Sequence, residues 1–277
     1  MPQYERQDCS TRIALFFSAL ACIAGCSEAA TTGKRVTLRT AMAKSAEVGT
    51  FTTGFGWDVT LTQAAIATNG FYYFDGPPPT ASFKAKKRGF RQRVADWMLG
   101  SAWAHPGHYQ AGDALGQTLL PEAVALDLFS DPLTPLPDGV GVTGTYRSAQ
   151  FVIPSEPPAD AVLAGHIAIA QGTAVEHGSS EGAPTYHFRM VADYADIEMN
   201  VNGGAVDGCV LDETAVVADG KISVEIKPAI WLNLVDFSKL DPGNEDDPTE
   251  ARDAGFSQGV TQLSAYHFAY SEVPNAK

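Results

Sequence analysis

Two histidines share one predicted tight turn in the sequence Ala104-His105-Pro106-Gly107-His108-Tyr109. Proline fixes φ near about −65° and glycine tolerates a positive φ, as the two central positions of a type II turn require. The Cα atoms of His105 and His108 would then lie less than about 7 Å apart. Two neutral imidazoles this close could share a zinc or copper ion, since nitrogen ligands suit these metals better than Ca²⁺ or Mg²⁺. A solvated surface turn with no metal is the alternative.

A complete metal site needs further ligands, because catalytic zinc takes three protein ligands and structural zinc takes four. His177 lies in a polar loop beside Glu176, and a neighbouring carboxylate could bind the metal or orient the imidazole. His187 is expected on the polar side of its strand. His177 and His187 are therefore the further candidate ligands, and an ordinary structural or surface role is the alternative for each. The other histidines that could approach the turn are His166 and His267.

A basic segment stands out in this acidic chain. Its cationic side chains are Lys84, Lys86, Lys87, Arg88, Arg91 and Arg93. Apolar residues at helical intervals follow, which predicts a short amphipathic helix over residues 90–103. The cations could contact lipid phosphates while the aromatic side chains lie at a membrane interface. A solvated loop and helix face is the alternative interpretation.

The elements that must position these residues are mainly strands, because apolar and polar residues alternate with period two. Candidate strands cover residues 36–40, 56–62, 70–74, 123–129, 145–153, 161–173, 185–201, 206–217, 222–226 and 260–270. Residues 161–173 and 185–201 are predicted to form a long hairpin. A second helix is predicted over residues 248–256, with Asp247 as its N-cap. The fold class is therefore mainly β, a β-sandwich that is immunoglobulin-like or jelly-roll-like, with one or two short helices.

Residues 130–138 contain three prolines and favour an extended connection. We predict one β-sandwich domain over residues 34–271. The alternative is two halves, residues 34–130 and 139–271, joined by this connection.

The N-terminal segment has the features of an export signal. Arg6 and Arg12 precede the apolar residues 13–25, which are too few to span a bilayer permanently. The following Ile23-Ala24-Gly25-Cys26 resembles the lipobox of bacterial lipoproteins. That resemblance implies a signal peptide over residues 1–25, cleavage before Cys26, acyl chains such as palmitate on this cysteine, and a lipidated linker over residues 26–33. A signal peptide that is cleaved elsewhere is the alternative.

The residue after the lipobox cysteine is Ser27 and not aspartate, which in that class implies sorting to the outer membrane, on its periplasmic or cell-surface face. The mature domain also loosely resembles uncharacterised secreted lipoproteins that contain the Ala-His-Pro-Gly-His turn. That likeness implies no activity. Cleavage would remove Cys9 and Cys22 and leave Cys209 as the one unmodified thiol, which is expected to be a small buried hydrophobe.

Charge and motifs restrict the class of function. A net charge of −13 argues against general binding to nucleic acid, which depends on neutralising phosphates. The chain has no Walker loop, no His-Glu-x-x-His and no Cys-x-x-Cys sequence. We therefore expect a non-catalytic protein: an outer-membrane lipoprotein that binds zinc or copper in the periplasm. The alternative is an adhesion or assembly module that binds a glycan, a lipid or a protein, and a hydrolytic enzyme is the third, less favoured class.

Overall fold

A computed structural model describes residues 33–76, 114–201, 204–244 and 247–272 of the chain. Several predicted functional residues lie outside these ranges, and their roles stay predictions. They are Cys26, Lys84, Lys86, Lys87, Arg88, Arg91, His105 and His108. The helix predicted over residues 90–103 also lies outside the described residues.

The described chain is mainly β, as the alternating pattern predicted. Its strands are β1 (Arg35–Ala43), β2 (Thr50–Thr52), β3 (Trp57–Phe74), β4 (Ala114–Asp127), β5 (Pro135–Val142), β6 (Gly144–Val152), β7 (Ala168–Glu176), β8 (Tyr186–Ala192), β9 (Ala205–Val216), β10 (Gly220–Ile226), β11 (Thr249–Ala251) and β12 (Tyr266–Glu272). The α-helices are α1 (Tyr194–Ile197), α2 (Pro228–Leu232) and α3 (Ala254–Val260). Two 3₁₀ turns cover Phe237–Lys239 and Leu263–Ala265. The few short helices of the described residues agree with the predicted mainly β fold class.

The long strand β3 organises the sheet. Its first part, Trp57–Ile66, pairs with β7, and its last part, Gly70–Phe74, pairs with β6, while β4 runs along its other edge. The path β3-β4-β5-β1-β10-β12-β9-β6 returns to β3, so the sheet closes on itself. Strands β7, β8 and β11 extend it from the first part of β3. The mixed, closed sheet gives a β-sandwich-like fold with an enclosed core.

Aromatic side chains fill the enclosed core. Phe151 stacks on Tyr266 with ring centroids 4.2 Å apart, and Phe71 contacts both Phe151 and Phe268. All four side chains are fully buried. Burying one such side chain contributes about 1.5–3 kcal/mol to stability. The core therefore holds β3, β6 and β12 together from inside the closed sheet.

The helix predicted over residues 248–256 was wrong in its position. Thr249–Ala251 are extended and pair in parallel with the edge strand β8. The helix begins only at Ala254, where Asp253 is the N-cap and its carboxylate accepts from the Phe256 N–H at 3.1 Å. The free edge of β8 satisfies the backbone groups of β11, so the chain stays extended there and the next aspartate caps the helix.

Three strand boundaries also differ from the prediction. The segment predicted over residues 185–201 ends as a strand at Ala192 and turns into α1, and the strand predicted over residues 260–270 begins only at Tyr266. Residues 161–165 form turns, where Ala164 and Gly165 have positive φ, so β7 begins at Ala168. The hairpin between β7 and β8 was correctly predicted.

Candidate functional site: histidine pairs and an aromatic pocket

His177 lies at the exposed end of β7 and is held by a carboxylate. Its Nδ1 is 2.9 Å from both carboxylate oxygens of Asp58 on β3. Its backbone N–H donates to the Gly56 carbonyl at 2.8 Å. Hydrogen bonds from Thr52 and then from His177 hold the pKa of Asp58 below its usual value. The carboxylate therefore stays ionised and fixes the ring, which leaves Nε2 as the nitrogen available to a ligand.

His187 lies on the outer side of β8, as the alternation with its aromatic neighbours predicted. It pairs with Thr173 in the β7–β8 ladder and lines a cavity of about 250 Å³ together with Thr62 and Pro248. His177 is four residues beyond Thr173 along β7, a separation of about 13 Å in an extended strand. The described structure therefore does not bring His177 and His187 to one site.

His267 contacts two carboxylates on the outer face of the sheet. Its Nε2 is 3.0 Å from Asp212 Oδ1, and its Nδ1 is 3.5 Å from Glu225 Oε2. His267 on β12 pairs with Val210 on β9, and Val210 pairs with Ser148 on β6. Ser148 in turn pairs with Phe74, the last residue of β3. One row across the sheet thus connects His267 to the point where residues 77–113 leave β3.

His166 belongs to a structural cluster. Its Nδ1 is 2.7 Å from Asp193 Oδ1, and the same carboxylate binds the guanidinium of Arg252, which also reaches Asp196 at 2.7 Å. These residues connect the turn before β7, the start of α1 and the segment between β11 and α3. The charges of this cluster are satisfied within it, so its role is to join elements.

Within the described ranges, no three His, Cys, Asp or Glu side chains converge as a possible metal site. Cys209 is buried, and burial raises the pKa of its thiol to about 12. It is therefore the buried hydrophobe that the sequence predicted. A metal centre on this protein would need ligands from the residues that the structure does not describe.

An aromatic pocket of about 380 Å³ opens beside His177, at the start of β3. Its lining consists of Phe55, Trp57, Glu176, Pro184, Tyr186, Asp236 and Ser238. The rings of Trp57 and Tyr186 are perpendicular, at 89°, with centroids 5.4 Å apart. They form two walls that meet at a corner.

Three chain segments hold this pocket in place. Trp57 and Glu176 are directly opposite each other on β3 and β7, so their side chains share one face of the sheet. The turn before β3 is fixed to the end of α2, because the Gly54 N–H donates to the side chain of Asn233. A Cβ at position 54 would lie 2.8 Å from Asn233 Oδ1, so a larger residue there would have to displace the Asn233 side chain and weaken this link.

This pocket could not be predicted from the sequence, because its walls lie far apart along the chain. Trp57 and Tyr186 are separated by 129 positions, and each was assigned only to a strand. The available signal was the unusual clustering of Phe55 and Trp57 around a glycine turn. Alternation correctly placed Tyr186 with Phe188 on the face opposite His187.

Two short sequences match catalytic patterns without the structural context that the patterns need. Residues 139–144 match Gly-x-Gly-x-x-Gly but span the β5–β6 hairpin, where no helix follows to bind a phosphate. Residues 178–182 match Gly-x-Ser-x-Gly but form the exposed β7–β8 loop, and not a strand-to-helix elbow. Neither match indicates a catalytic site.

Comparisons with known proteins assign no family. No protein-family model and no curated protein matches the sequence. A solved structure that resembles the chain is MbnP from Methylosinus trichosporium, with 13% sequence identity over 78% of this chain and 86% of that chain and a TM-score of 0.28. A TM-score this low carries no inference about fold or function. None of the helices within the described ranges has the length and apolar character that a membrane span requires.

Proposed function

We propose that this protein is an outer-membrane lipoprotein, anchored through Cys26, that binds one zinc or copper ion in the periplasm. His105, His108 and His267 are its proposed ligands. The metal site is proposed from the contacts of His267, whose ring nitrogens lie close to the carboxylates of Asp212 and Glu225. This ring lies in the row of the sheet that ends at Phe74, after which residues 77–113 follow. Glu225 on Nδ1 would orient the ring, while Nε2 and Asp212 face the metal.

Chain length supports His267 as the third ligand. His108 is six residues before Ala114, so it can reach at most about 21 Å from that residue. Ala114 pairs with Phe74, and the row from Ala114 to His267 crosses four strand spacings, or about 19 Å. The chain between His108 and Ala114 is therefore long enough for the turn to reach His267.

His177 and His187 are less favourable partners for the same turn. His177 is bonded to Gly56, which is 18 residues from Phe74, or about 59 Å along β3. His187 lies in the row of Thr60, which is 14 residues from Phe74, or about 46 Å along the strand. The sequence-based assignment of these two histidines as ligands is therefore not part of this proposal, and they provide matched controls for His267.

Metal analysis of untagged protein tests the site. We expect one equivalent of zinc or copper with a Kd tighter than about 10 μM. The double variant His105→Ala/His108→Ala should lose this binding, and His267→Gln should weaken it at least about tenfold, since it removes one of three or four ligands. His177→Gln should bind as the wild type does. A wild-type protein that carries no stoichiometric metal and titrates none in this range would contradict the proposal.

The anchor has its own test. Cells that express the protein are labelled with radioactive palmitate, and label is expected on the wild type and absent from Cys26→Ser. Separation of the membranes should place the labelled protein with the outer membrane. Equal labelling of the two proteins would contradict the anchor and leave the metal site untouched.

The aromatic pocket favours a second function, the non-catalytic binding module. It lies at the opposite end of β3 from the row that contains His267. The protein can therefore have a small-ligand site that does not depend on the metal.

A further inference from the structure

The pocket beside the start of β3 combines aromatic walls with carboxylates. Trp57 and Tyr186 meet at right angles, and Phe55, which is 58% exposed, stands at the rim. A cation is attracted to the face of an aromatic ring, and the rings that are at least partly exposed here are those of Tyr186 and Phe55. Rings arranged in this way are the common means of recognising organic ammonium groups.

The polar side of the pocket is negative. Glu176 is exposed, and among the described residues its carboxylate has no hydrogen-bond or ion-pair partner. Asp236 accepts from the Ser238 hydroxyl at 2.7 Å and lies 3.3 Å from Lys239 Nζ, and the Ser238 bond is the main cause of its lowered pKa. Two carboxylates against one lysine, whose side chain is 75% exposed, give these three groups a formal net charge of −1.

The occupant that matches this chemistry is an organic cation. We propose that the pocket binds a small ammonium compound, such as a quaternary ammonium ion or a primary amine, with its charged group against Tyr186, Phe55 and Glu176 and beside the mostly buried Trp57. A volume of about 380 Å³ is at the lower end for ligand cavities and suits a compound of modest size. A metal ion suits the site less well, because no three His, Cys, Asp or Glu side chains of the described residues converge there.

A neutral sugar is the principal competing ligand. Sugars also use aromatic surfaces, but they stack on a broad exposed ring face. Trp57 is only 7% exposed, and the exposed ring at the rim is Phe55, which has no polar group. The unpartnered Glu176 would gain a full charge interaction with a cation and only a hydrogen bond with a sugar hydroxyl.

Calorimetric titration of the full chain with choline provides the test, with 3,3-dimethylbutanol as its uncharged analogue. We expect choline to bind with a Kd below about 1 mM and the uncharged analogue at least about tenfold more weakly, because cation–aromatic and charge interactions are lost. Methyl glucoside should not bind. Choline binding should also weaken with added salt.

Matched variants locate the site. Glu176→Gln keeps the shape and removes the charge, and it should weaken choline binding at least about fivefold. Phe55→Ala removes an exposed rim ring without opening the core and should also weaken binding. Glu181→Gln changes an exposed carboxylate in the same β7–β8 loop that does not line the pocket, so it should bind choline as the wild type does.

Three outcomes would overturn the proposal. They are equal affinity for choline and its uncharged analogue, binding of methyl glucoside alone, and an unchanged affinity of Glu176→Gln for choline. The double variant His105→Ala/His108→Ala separates this site from the proposed metal site. It should bind choline normally even if it binds no metal.

Discussion

The Cys209 side chain points to the inner face of β9, where surrounding residues bury its thiol. It is fully buried, and its sulfur donates to the Val206 carbonyl at 3.2 Å. Burial disfavours the thiolate and raises the pKa to about 12. Because only the thiolate is nucleophilic, this cysteine should be chemically inert in the native protein.

Alkylation with iodoacetamide at pH 8 checks this prediction. The peptide that contains Cys209 should react at least about a hundredfold more slowly in native protein than in protein unfolded with urea, since both exposure and thiolate fraction increase on unfolding. Peptide mass spectrometry reads this cysteine separately from the others. Similar rates in the two states would mean that the site opens to solvent readily.

Single residues differed in how far the sequence could predict them. Cys209 was predictable because its flanking pattern is local and apolar. The partners of the histidines were not, since Asp58 and His177 are 119 positions apart and Asp212 and His267 are 55 apart. Strand pairing decides such contacts, and register across a sheet cannot be obtained from local alternation alone.

At the scale of elements, local patterns predicted the strands that have one buried face. β1 and β10 alternate between buried and more exposed residues, and the strands predicted over residues 36–40 and 222–226 lie inside them. The strand β3 was predicted as two pieces, because residues 64–68 are all buried and show no alternation. A strand that is covered on both faces loses the period-two signal on which the prediction depends.

The cluster around Asp193 joins three elements through charges. Burial raises the pKa of Asp193, but hydrogen bonds from His166 and Arg252 lower it by more, so the net shift is downward. A carboxylate whose folded pKa is depressed stabilises the protein above its unfolded pKa, about 3.9. That contribution is lost as the pH falls through the lower folded value.

Asp193→Asn should therefore lower the free energy of unfolding at pH 7, by no more than about 1 kcal/mol because the side chain is 35% exposed and partly screened. The difference from the wild type should shrink when urea unfolding is measured below about pH 4. Glu198→Gln, an exposed change just after α1, is the control and should have no effect. A difference that persists at low pH would assign the loss to packing and not to charge.

At the scale of the molecule, the closure of the sheet depends on strand pairs that share few paired residues, and the seam between β4 and β5 is one of them. β4 and β5 pair only through Gly116 with Gly141 and Gln117 with Val140. The hydroxyl of Tyr146 lies under this seam, 2.9 Å from the Val142 carbonyl. A Cβ at position 141 would overlap that hydroxyl, so the missing side chain lets the two strands approach.

Gly141→Ala should open the seam. The methyl group must displace the Tyr146 hydroxyl from its buried position, and such overpacking costs about 1–3 kcal/mol. Amide hydrogen exchange should become faster at Gly116 and Gln117, because these residues form the β4 side of the seam.

Gly144→Ala in the same hairpin is the matched control. Its Cβ would lie 3.1 Å from the end of the Leu115 side chain and meet no polar group, so it should cost less stability than Gly141→Ala and leave exchange at Gly116 and Gln117 unchanged. If both variants lost stability equally and exchange stayed slow, close approach at position 141 would not be what closes the sheet. Closure would then depend on the aromatic core, in which Phe71 and Phe268 connect strands that are not neighbours in the sheet.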